Sequence, residues 1–253
     1  MSPQRYTAAA AVAVLIASGC GRSRTEGPVT TRTPEGKSVS PSGAAAANEG
    51  KSLVRLVNAL PDRSPVSLTA GDSALFTGVA AEGVTPYKEI KRNIVDFKLR
   101  GPADSTIANN HETMADGARY TIVALPDDNG AGARLRVLKD EVVPDAGKAR
   151  IRLINATAGD HKVDLAVRGS REALFSGVRR GVEAGYKDVD PTTATFEVRS
   201  DEHGTKPVTI KNLELQPGRA YTIVLVGKRS GAMDAITFDD TVTGTRLSDR
   251  DKR

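Results

Sequence analysis

Short apolar runs separated by turn-forming residues dominate the chain from Leu53 onwards. The runs are rich in Val, Ile, Leu, Tyr and Thr, and Gly, Pro, Asp and Asn separate them. Several short strands with turn signals about every 8–12 residues are typical of an all-β sandwich. No segment shows the sustained apolar face of an amphipathic helix. The predicted strands are 53–59, 66–70, 74–77, 87–90, 93–100, 120–125 and 133–143 in the first half, and 150–156, 163–167, 194–199, 208–213, 221–226 and 235–242 in the second.

The same pattern occurs twice. Val54-Arg-Leu-Val-Asn-Ala59 returns as Ile151-Arg-Leu-Ile-Asn-Ala156, and Ala74-Leu-Phe-Thr-Gly-Val79 returns as Ala173-Leu-Phe-Ser-Gly-Val178. Each copy has about 95 residues, which is enough for an independent core. The duplication therefore predicts two tandem immunoglobulin-like (Greek-key) β-sandwich domains, at residues 53–147 and 148–243.

Residues 1–20 are predicted to be a lipoprotein signal peptide. The apolar run at 8–18 is too short to cross a bilayer core of about 30 Å. Ala17-Ser18-Gly19-Cys20 resembles the lipobox of bacterial lipoproteins, which implies that Cys20 is lipidated and becomes the new N-terminus. Cys20 is the only cysteine, so neither a disulfide nor thiol chemistry is expected. Gly21, where an inner-membrane retention signal has Asp, favours the outer membrane if the host is Gram-negative.

The ends of the chain carry the excess of positive charge. The chain has a net charge of +5. Residues 1–52 contribute six basic and three acidic residues, and residues 244–253 contribute four and two. The copies are therefore close to neutral, which argues against a surface that follows nucleic-acid phosphates. Residues 21–52 and 244–253 are predicted to be a flexible tether and a flexible tail, because they hold few large apolar side chains.

Two turns before a tyrosine resemble the tyrosine corner of Greek-key sandwiches, in which the hydroxyl bonds the backbone a few residues upstream. They are Met114-Ala-Asp-Gly-Ala-Arg-Tyr120 and Leu215-Gln-Pro-Gly-Arg-Ala-Tyr221. Four aromatic pairs occupy matched positions in the copies, which indicates a shared core and not a ligand surface. The pairs are Phe76 with Phe175, Tyr87 with Tyr186, Phe97 with Phe196 and Tyr120 with Tyr221.

The opening of each copy resembles domain-of-unknown-function family 4397, whose members often occur in tandem on secreted or lipid-anchored proteins. The family opening is Val-Arg-x-x-Asn/His-Ala-x-Pro-Asp followed by Val-Asp. The first copy has Pro61-Asp62 but Ser67 in place of the second Asp, whereas the second copy has Asp164 but Ala158-Gly159 in place of Pro-Asp. The resemblance implies a β-sandwich surface module and no known activity.

Few residues are candidates for chemistry. The stretch 127–130 could supply oxygen ligands through Asp127, Asp128 and Asn129, although it lacks the spacing of an EF-hand and first predicts a hairpin turn. Asn58 and Asn155 are matched polar residues at a strand end, and they either bond the following turn or face a ligand. The three histidines, His111, His161 and His203, are unmatched between the copies and lack zinc-ligand spacing. Gly71-Asp-Ser-Ala-Leu75 only partly resembles an esterase motif and predicts a turn.

These features predict a lipid-anchored cell-envelope protein with a non-catalytic binding, adhesive or scaffolding role. We expect no catalytic residues, metal site or cofactor. The predicted partners are the membrane, through the N-terminal lipid, and an unknown envelope protein or polymer. An accessory protein that binds envelope carbohydrate or polymer is the first alternative, although the low aromatic content of 4% and the lack of Trp disfavour it. A hydrolase is the least favoured alternative.

Overall fold

A computed structural model describes residues 50–61, 65–158, 162–201, 205–228 and 232–241, which all belong to one compact unit. Cys20, the tether and the tail lie outside the described residues. The first copy contains β1 (Ser52–Asn58), β2 (Val66–Ala70), β3 (Ser73–Val79), β4 (Lys88–Ile90), β5 (Ile94–Arg100), β6 (Thr106–Thr113), β7 (Arg119–Pro126) and β8 (Ala133–Lys139), with a 3₁₀ turn at Pro102–Asp104. The second contains β9 (Ala149–Ala156), β10 (Lys162–Val167), β11 (Ala173–Arg179), β12 (Glu183–Val189), β13 (Thr192–Ser200), β14 (Val208–Leu215), β15 (Ala220–Gly227) and β16 (Met233–Asp239).

Each copy is a sandwich of two four-stranded sheets with the same strand order. The first copy pairs the sheet β4-β1-β7-β8 with the sheet β3-β2-β5-β6, and the second pairs β12-β9-β15-β16 with β11-β10-β13-β14. Neighbouring strands are antiparallel except for β1 with β7 and β9 with β15, which are parallel. The predicted all-β architecture of two tandem sandwiches is confirmed. Among the described residues, no helix is long and apolar enough to cross a bilayer.

Three cores hold this unit together, and the third lies between the copies. The first two fill the two sandwiches. The third forms where the outer face of the β1-β7 sheet packs on the outer face of the β9-β15 sheet, and it includes Val57 and Val123 from one copy and Val224 and Phe238 from the other. The central strands are therefore buried on both faces. This explains why they are nearly continuous apolar runs, whereas strands of the outer sheets alternate.

The predicted strands differ from the observed ones at a few places. The strand β6 was not predicted because its sequence, Thr-Ile-Ala-Asn-Asn-His-Glu-Thr, is polar on its solvent face and weakly apolar on the other. The strands β11 and β12 were not predicted either, since half or more of their residues are exposed or only partly buried. β8 ends at Lys139 and β16 at Asp239, short of the predicted ends at 143 and 242, because Asp140 and Asp240 leave the strand to bond buried partners.

Candidate functional site

Two arginines are buried between the sandwiches at positions related by the duplication. Arg55 lies on β1 and Arg152 on β9, and their side chains are 1% and 0% exposed. Each guanidinium crosses to the other copy. Arg55 forms an ion pair with Asp240, and Nη2 of Arg152 lies 2.6 Å from Oδ1 of Asp140. The relation is reciprocal, as at the interface of a two-fold symmetric dimer.

A threonine in each copy joins the arginine to the aspartate. The threonine hydroxyl accepts a hydrogen bond from Nε of the arginine of its own copy and donates one to the aspartate of its own copy. The groups are thus satisfied although they are buried, which a buried ion pair needs if it is not to be destabilising. The Nε–Oγ1 distances are 2.8 Å for Arg55 with Thr121 and 2.7 Å for Arg152 with Thr222, and the Thr–Asp distances are 2.9 Å for Thr121 with Asp140 and 2.6 Å for Thr222 with Asp240.

A tyrosine of each copy completes the network. The hydroxyl of Tyr87 donates to Asp140 at 2.6 Å, and that of Tyr186 donates to Asp240 at 2.8 Å. Burial raises the pKa of both tyrosines well above the usual value, so both remain protonated donors. Burial lowers the pKa of Arg55, but the nearby Asp240, Tyr87 and Asp140 together outweigh burial, so the pKa is raised. Arg152 also pairs with the partly buried Glu183 at 2.9 Å, so two cations and three anions lie together in a hydrogen-bonded cluster with a structural role.

The candidate ligand loop lies at the rim of this interface. Arg180 of the second copy donates from Nη1 to the backbone oxygens of Asp127 and Asp128, at 3.1 and 2.8 Å. The carboxylate of Asp128 also lies 3.0 Å from Nη1 of Arg134 and 3.4 Å from Nη2 of Arg180. A cation at Asp128 would meet two guanidinium groups, and the exposed Asn129 follows as part of the turn. Across the described residues, no group of three His, Cys, Asp or Glu side chains has the geometry of a metal site.

Asn58 and Asn155 are fully buried and bond the backbone of neighbouring turns. Nδ2 of Asn58 donates to the carbonyl of Val79 at 3.0 Å, and Nδ2 of Asn155 donates to that of Val178 at 3.0 Å. Their Oδ1 atoms accept the backbone N–H two residues on, from Leu60 in the first copy, at 3.2 Å in both. These contacts correspond to the first of the two roles considered, in which the amide supports the turn.

Tyr120 and Tyr221 make matching hydrogen bonds at the ends of the sandwiches. The hydroxyl of Tyr120 accepts from the backbone N–H of Ala115 at 2.8 Å, and that of Tyr221 accepts from Gln216 at 3.0 Å. Both residues are buried in the cores of their own copies. Each bond spans five residues and fixes the turn that leads into β7 or β15. This is the geometry of a tyrosine corner.

A cleft of about 500 Å³ opens along one edge of the second sandwich, between β14 and β16. Leu213 and Tyr221 lie at its floor, and polar and charged side chains form most of its walls. Arg219 reaches across it to Asp239, with 2.7 Å between Nη1 and Oδ2. Its volume lies within the range of about 300–1,000 Å³ that small-ligand sites occupy. In the first copy the matching strands, β6 and β8, lie closer together.

Substitutions between the copies explain why the cleft occurs at this edge. The register places Lys139 opposite Tyr120 and Asp239 opposite Tyr221, which matches the two edge strands residue by residue. The edge strand of the second copy carries smaller or more polar side chains, while its inner neighbour gains bulk where Leu225 replaces Ala124. Compared with the first copy, the second copy thus has less apolar side-chain volume on its edge strand, β16, and more on the neighbouring inner strand, β15. The matched pairs at the cleft, first copy first, are Ala118 with Arg219, Leu135 with Ala235, Val137 with Thr237 and Lys139 with Asp239.

A β-bulge forms the other wall of the cleft. Ala194 pairs with Leu213 and Phe196 pairs with Ile210, so one residue of β13 faces two residues of β14. One of the two, Asn212, has a φ of 50°, in the left-handed region that Asn tolerates better than most residues. The matching stretch of β5 and β6 pairs without a bulge. Bulges bend a strand and redirect its side chains, and they are common beside binding sites.

The comparison with known families follows the duplication. A family model described as "Domain of unknown function (DUF4397)" matches residues 52–166 and, a second time, residues 154–249. The chain belongs to the DUF4397 family. It is a tandem member. The first match begins at the start of β1, and the second begins near the end of β9. No curated protein matches the chain.

The variable second Asp of the DUF4397 opening has a structural role here. Oδ1 of Asp164 accepts the backbone N–H of Gly177 at 2.7 Å, and Oγ of Ser67 accepts that of Gly78 at 3.2 Å. The two glycines have φ values of 64° and 63°, in the left-handed region that favours Gly. Ser67 therefore makes the same contact as Asp164, and the first copy does not lack a function at this position. Asp62 and residues 159–161 lie outside the described residues.

Sequence reasoning missed both the buried network and the cleft. Each had a signal in the sequence. Arg55 and Arg152 are charged residues repeated within apolar runs, which is typical of buried structural charges. The cleft was marked by matched strand positions at which the copies differ. Of the histidines, His111 lies on the exposed face of β6, where Nδ1 is 2.6 Å from Oδ1 of Asp96, and His161 and His203 lie outside the described residues.

Proposed function

We propose that this tandem DUF4397 protein is a lipid-anchored cell-envelope protein that binds a ligand without transforming it, and that the cleft of the second sandwich is its binding site. Cys20 would carry the lipid, and the tether 21–52 would hold the sandwiches away from the membrane. In a Gram-negative host the expected location is the outer membrane. The partner is an envelope protein or polymer.

One observation carries the proposal. The first copy closes the matching edge of the same fold, with Leu135 and Val137 packed against its core. The fold therefore does not require a cleft at this edge, and the polar side chains that line it in the second copy need another explanation. Ligand binding supplies one, because polar groups that converge on a small concave site fix the orientation of a ligand.

The shared interface supports a binding role in a second way. The copies are joined by buried ion pairs of Arg55 with Asp240 and of Arg152 with Asp140. The two sandwiches would then move as one body, so the cleft of the second copy would keep a fixed position relative to the first copy, which the tether precedes.

Anchoring and binding are tested separately. Cys20→Ala should leave the protein unprocessed or released from membranes, with no acyl mass on its N-terminus. Membrane retention of this variant after a high-salt wash would contradict the anchor, since salt screens the attraction of basic segments.

For binding, solubilised envelope material is passed over the immobilised wild-type chain and over Arg219→Ala, with Arg199→Ala as the control. Arg199 is an exposed arginine of the same sandwich, paired with Glu197 at 3.0 Å. Protein or polymer retained by the wild type and the control, but not by Arg219→Ala, is the expected result. Equal retention by all three would contradict a role for the cleft.

A further inference from the structure

We infer that the cleft between β14 and β16 binds a neutral saccharide, an inference that rests on the binding function proposed above. The low aromatic content and the lack of Trp disfavour binding by aromatic stacking, so the proposed site holds its ligand by hydrogen bonds. The hydroxyls of a saccharide both donate and accept hydrogen bonds, so its site needs donors and acceptors close together. Planar side chains are suited to this because each can bond two adjacent hydroxyls. The cleft has five such side chains, which are Asn212, Glu214, Gln216, Arg219 and Asp239.

The pair formed by Arg219 and Asp239 is the centre of the proposed site. The Arg219 side chain is 40% exposed and Asp239 is 4% exposed, so the guanidinium remains open to a ligand while the carboxylate is held in place. Oδ1 of Asp239 also accepts the backbone N–H of Thr241 at 2.8 Å. Asp239 thus fixes the guanidinium, whose remaining N–H groups can donate to a hydroxyl, and the acceptors open to a ligand are the side chains of Glu214 and Gln216 in the same lining.

The floor of the cleft suits the C–H face of a sugar ring. Leu213 and Tyr221 are buried there, and Ile210 and Ala235 are partly buried between the polar walls. The Tyr221 hydroxyl is already bonded to the backbone of Gln216, so the tyrosine contributes its ring to the floor. A narrow apolar strip inside a mostly polar cleft disfavours an apolar ligand, because the polar walls would lose their solvation without gaining bonds.

The charge balance of the lining argues against an anionic ligand. Asp234 is paired with Lys228 at 3.3 Å, outside the lining. The remaining charges of the lining are balanced, because Lys211 and Arg219 are two cations and Glu214 and Asp239 are two anions. Phosphate-binding sites instead have an excess of Arg, Lys or backbone N–H groups. A neutral ligand therefore fits the cleft better than a phosphate or sulfate.

The bulge at Lys211 and Asn212 argues against an extended peptide. A peptide that adds to a sheet edge needs a regular row of unpaired backbone groups. The edge strand β14 is interrupted at this bulge, so its side of the cleft lacks such a row, because bulges of this kind protect sheet edges from pairing with another strand.

The test measures binding of three probe classes to the soluble full-length chain, produced without its signal peptide. The probes are uncharged oligosaccharides (glucose- and N-acetylglucosamine-based trimers), inorganic phosphate and an uncharged extended hexapeptide. Titration calorimetry and the shifts of backbone amide resonances report binding. We expect at least one saccharide trimer to bind and to shift amides of β14 and β16, and we expect no shift with phosphate or peptide.

Two variants locate the site. Arg219→Ala removes the donor fork, and the double variant Ala235→Leu, Thr237→Val installs the side chains of the first copy and fills the floor. Arg219→Ala should weaken saccharide binding at least about tenfold, the effect of losing one charge-assisted hydrogen bond of about 1.5 kcal/mol. The double variant should weaken binding at least as much, because its larger side chains occupy the space of the ligand. Arg199→Ala should bind as the wild type does. Melting curves establish whether each variant is folded. If the double variant does not fold, Arg219→Ala still tests the site, because the Arg219 side chain is partly exposed.

Binding of phosphate or peptide alone, binding of no saccharide, or saccharide binding that both variants retain would each overturn the inference. The proposed function fails separately. If envelope material is retained through the cleft but the saccharides do not bind, the binding function stands and the saccharide assignment is wrong. If the saccharides bind but Cys20→Ala remains on membranes, the anchor is wrong and the saccharide site stands.

Discussion

Arg55 on β1 forms an ion pair with Asp240, which lies 185 residues further along the chain, and the two side chains are 1% and 0% exposed. The guanidinium also lies over the rings of Tyr87 and Phe238, 4.6 and 4.3 Å from their centroids. Tyr87 belongs to the same copy as Arg55, whereas Asp240 and Phe238 belong to the other copy. The pair joins the two sandwiches, and removal of either partner leaves a buried charge without its nearest counter-charge.

Arg55→Met should therefore lower the free energy of unfolding by about 3–5 kcal/mol, because it removes the nearer of the two cations beside the buried Asp240 carboxylate and leaves only Arg152, at 3.8 Å. Urea unfolding at pH 7 measures the loss. Arg199→Met, at an exposed ion pair, is the control and should cost less than about 1 kcal/mol. The double variant Arg55→Met, Asp240→Leu should be more stable than Arg55→Met alone. A loss in Arg55→Met no larger than in the control would show that the pair does not hold the copies together.

The fold could be predicted from the sequence because the features that determine it are local. Period-two alternation and turn residues can be recognised over short stretches of sequence. The duplication can be recognised by comparing the two copies. The interface was harder to predict from the sequence, because the apolar run of a strand that is buried on both faces resembles that of a strand that is buried on one face only. Arg55 sits among these apolar residues and was counted as part of the repeat, although a charge at a repeated strand position indicates a partner on the second face.

The candidate site could be predicted only in part for a different reason. Asn58 and Tyr120 act on turns a few residues away, and such short-range contacts follow from sequence spacing. The cleft instead depends on which strand is at the edge and on how its side chains compare with those of the other copy. Arg219 follows a turn and Asp239 ends a strand, and their contact is set by strand pairing that the sequence alone does not give.

The tyrosine corners can be tested by single substitutions. Tyr120→Phe and Tyr221→Phe each remove one hydrogen bond to a turn and should lower the free energy of unfolding by about 1–2 kcal/mol. Tyr→Ala at either position should cost about 3–5 kcal/mol, because it opens a cavity in the core. Thermal melts of the four variants measure this. Wild-type stability in all four would contradict the corner role, and unchanged stability with lost binding would identify them as ligand contacts.

The buried tyrosines of the network predict how stability depends on pH. The pKa of Tyr87 and of Tyr186 is raised by burial above the value near 10 of an unfolded chain. Their contribution is thus complete below pH 10 and declines as pH rises further, since the unfolded state then loses protons first. The decline is at most about 1.4 kcal/mol per pH unit for each tyrosine. Urea unfolding between pH 8 and 11 should show it, and the double variant Tyr87→Phe, Tyr186→Phe should show a shallower slope.

The duplication alone suggests that residues 50–147 and 148–243 each fold and melt independently. The structure changes this expectation, because separation would expose the third core, including Val123 and Phe238, and would break the ion pairs of Arg55 with Asp240 and of Arg152 with Asp140.

We therefore expect the intact protein to melt in one transition, and each isolated copy to be less stable than the intact chain. Since each copy carries both an arginine and an aspartate of the reciprocal pairs, the isolated copies should associate, and mixing them should give a one-to-one complex with restored stability. Analytical ultracentrifugation and melting curves of each copy and of the mixture measure this. An Arg55→Met first copy is the control and should pair more weakly. If the isolated copies are stable monomers that do not associate, the interface contributes little to stability. The buried network would then form because the copies are joined in one chain, and it would not be the reason that they pack.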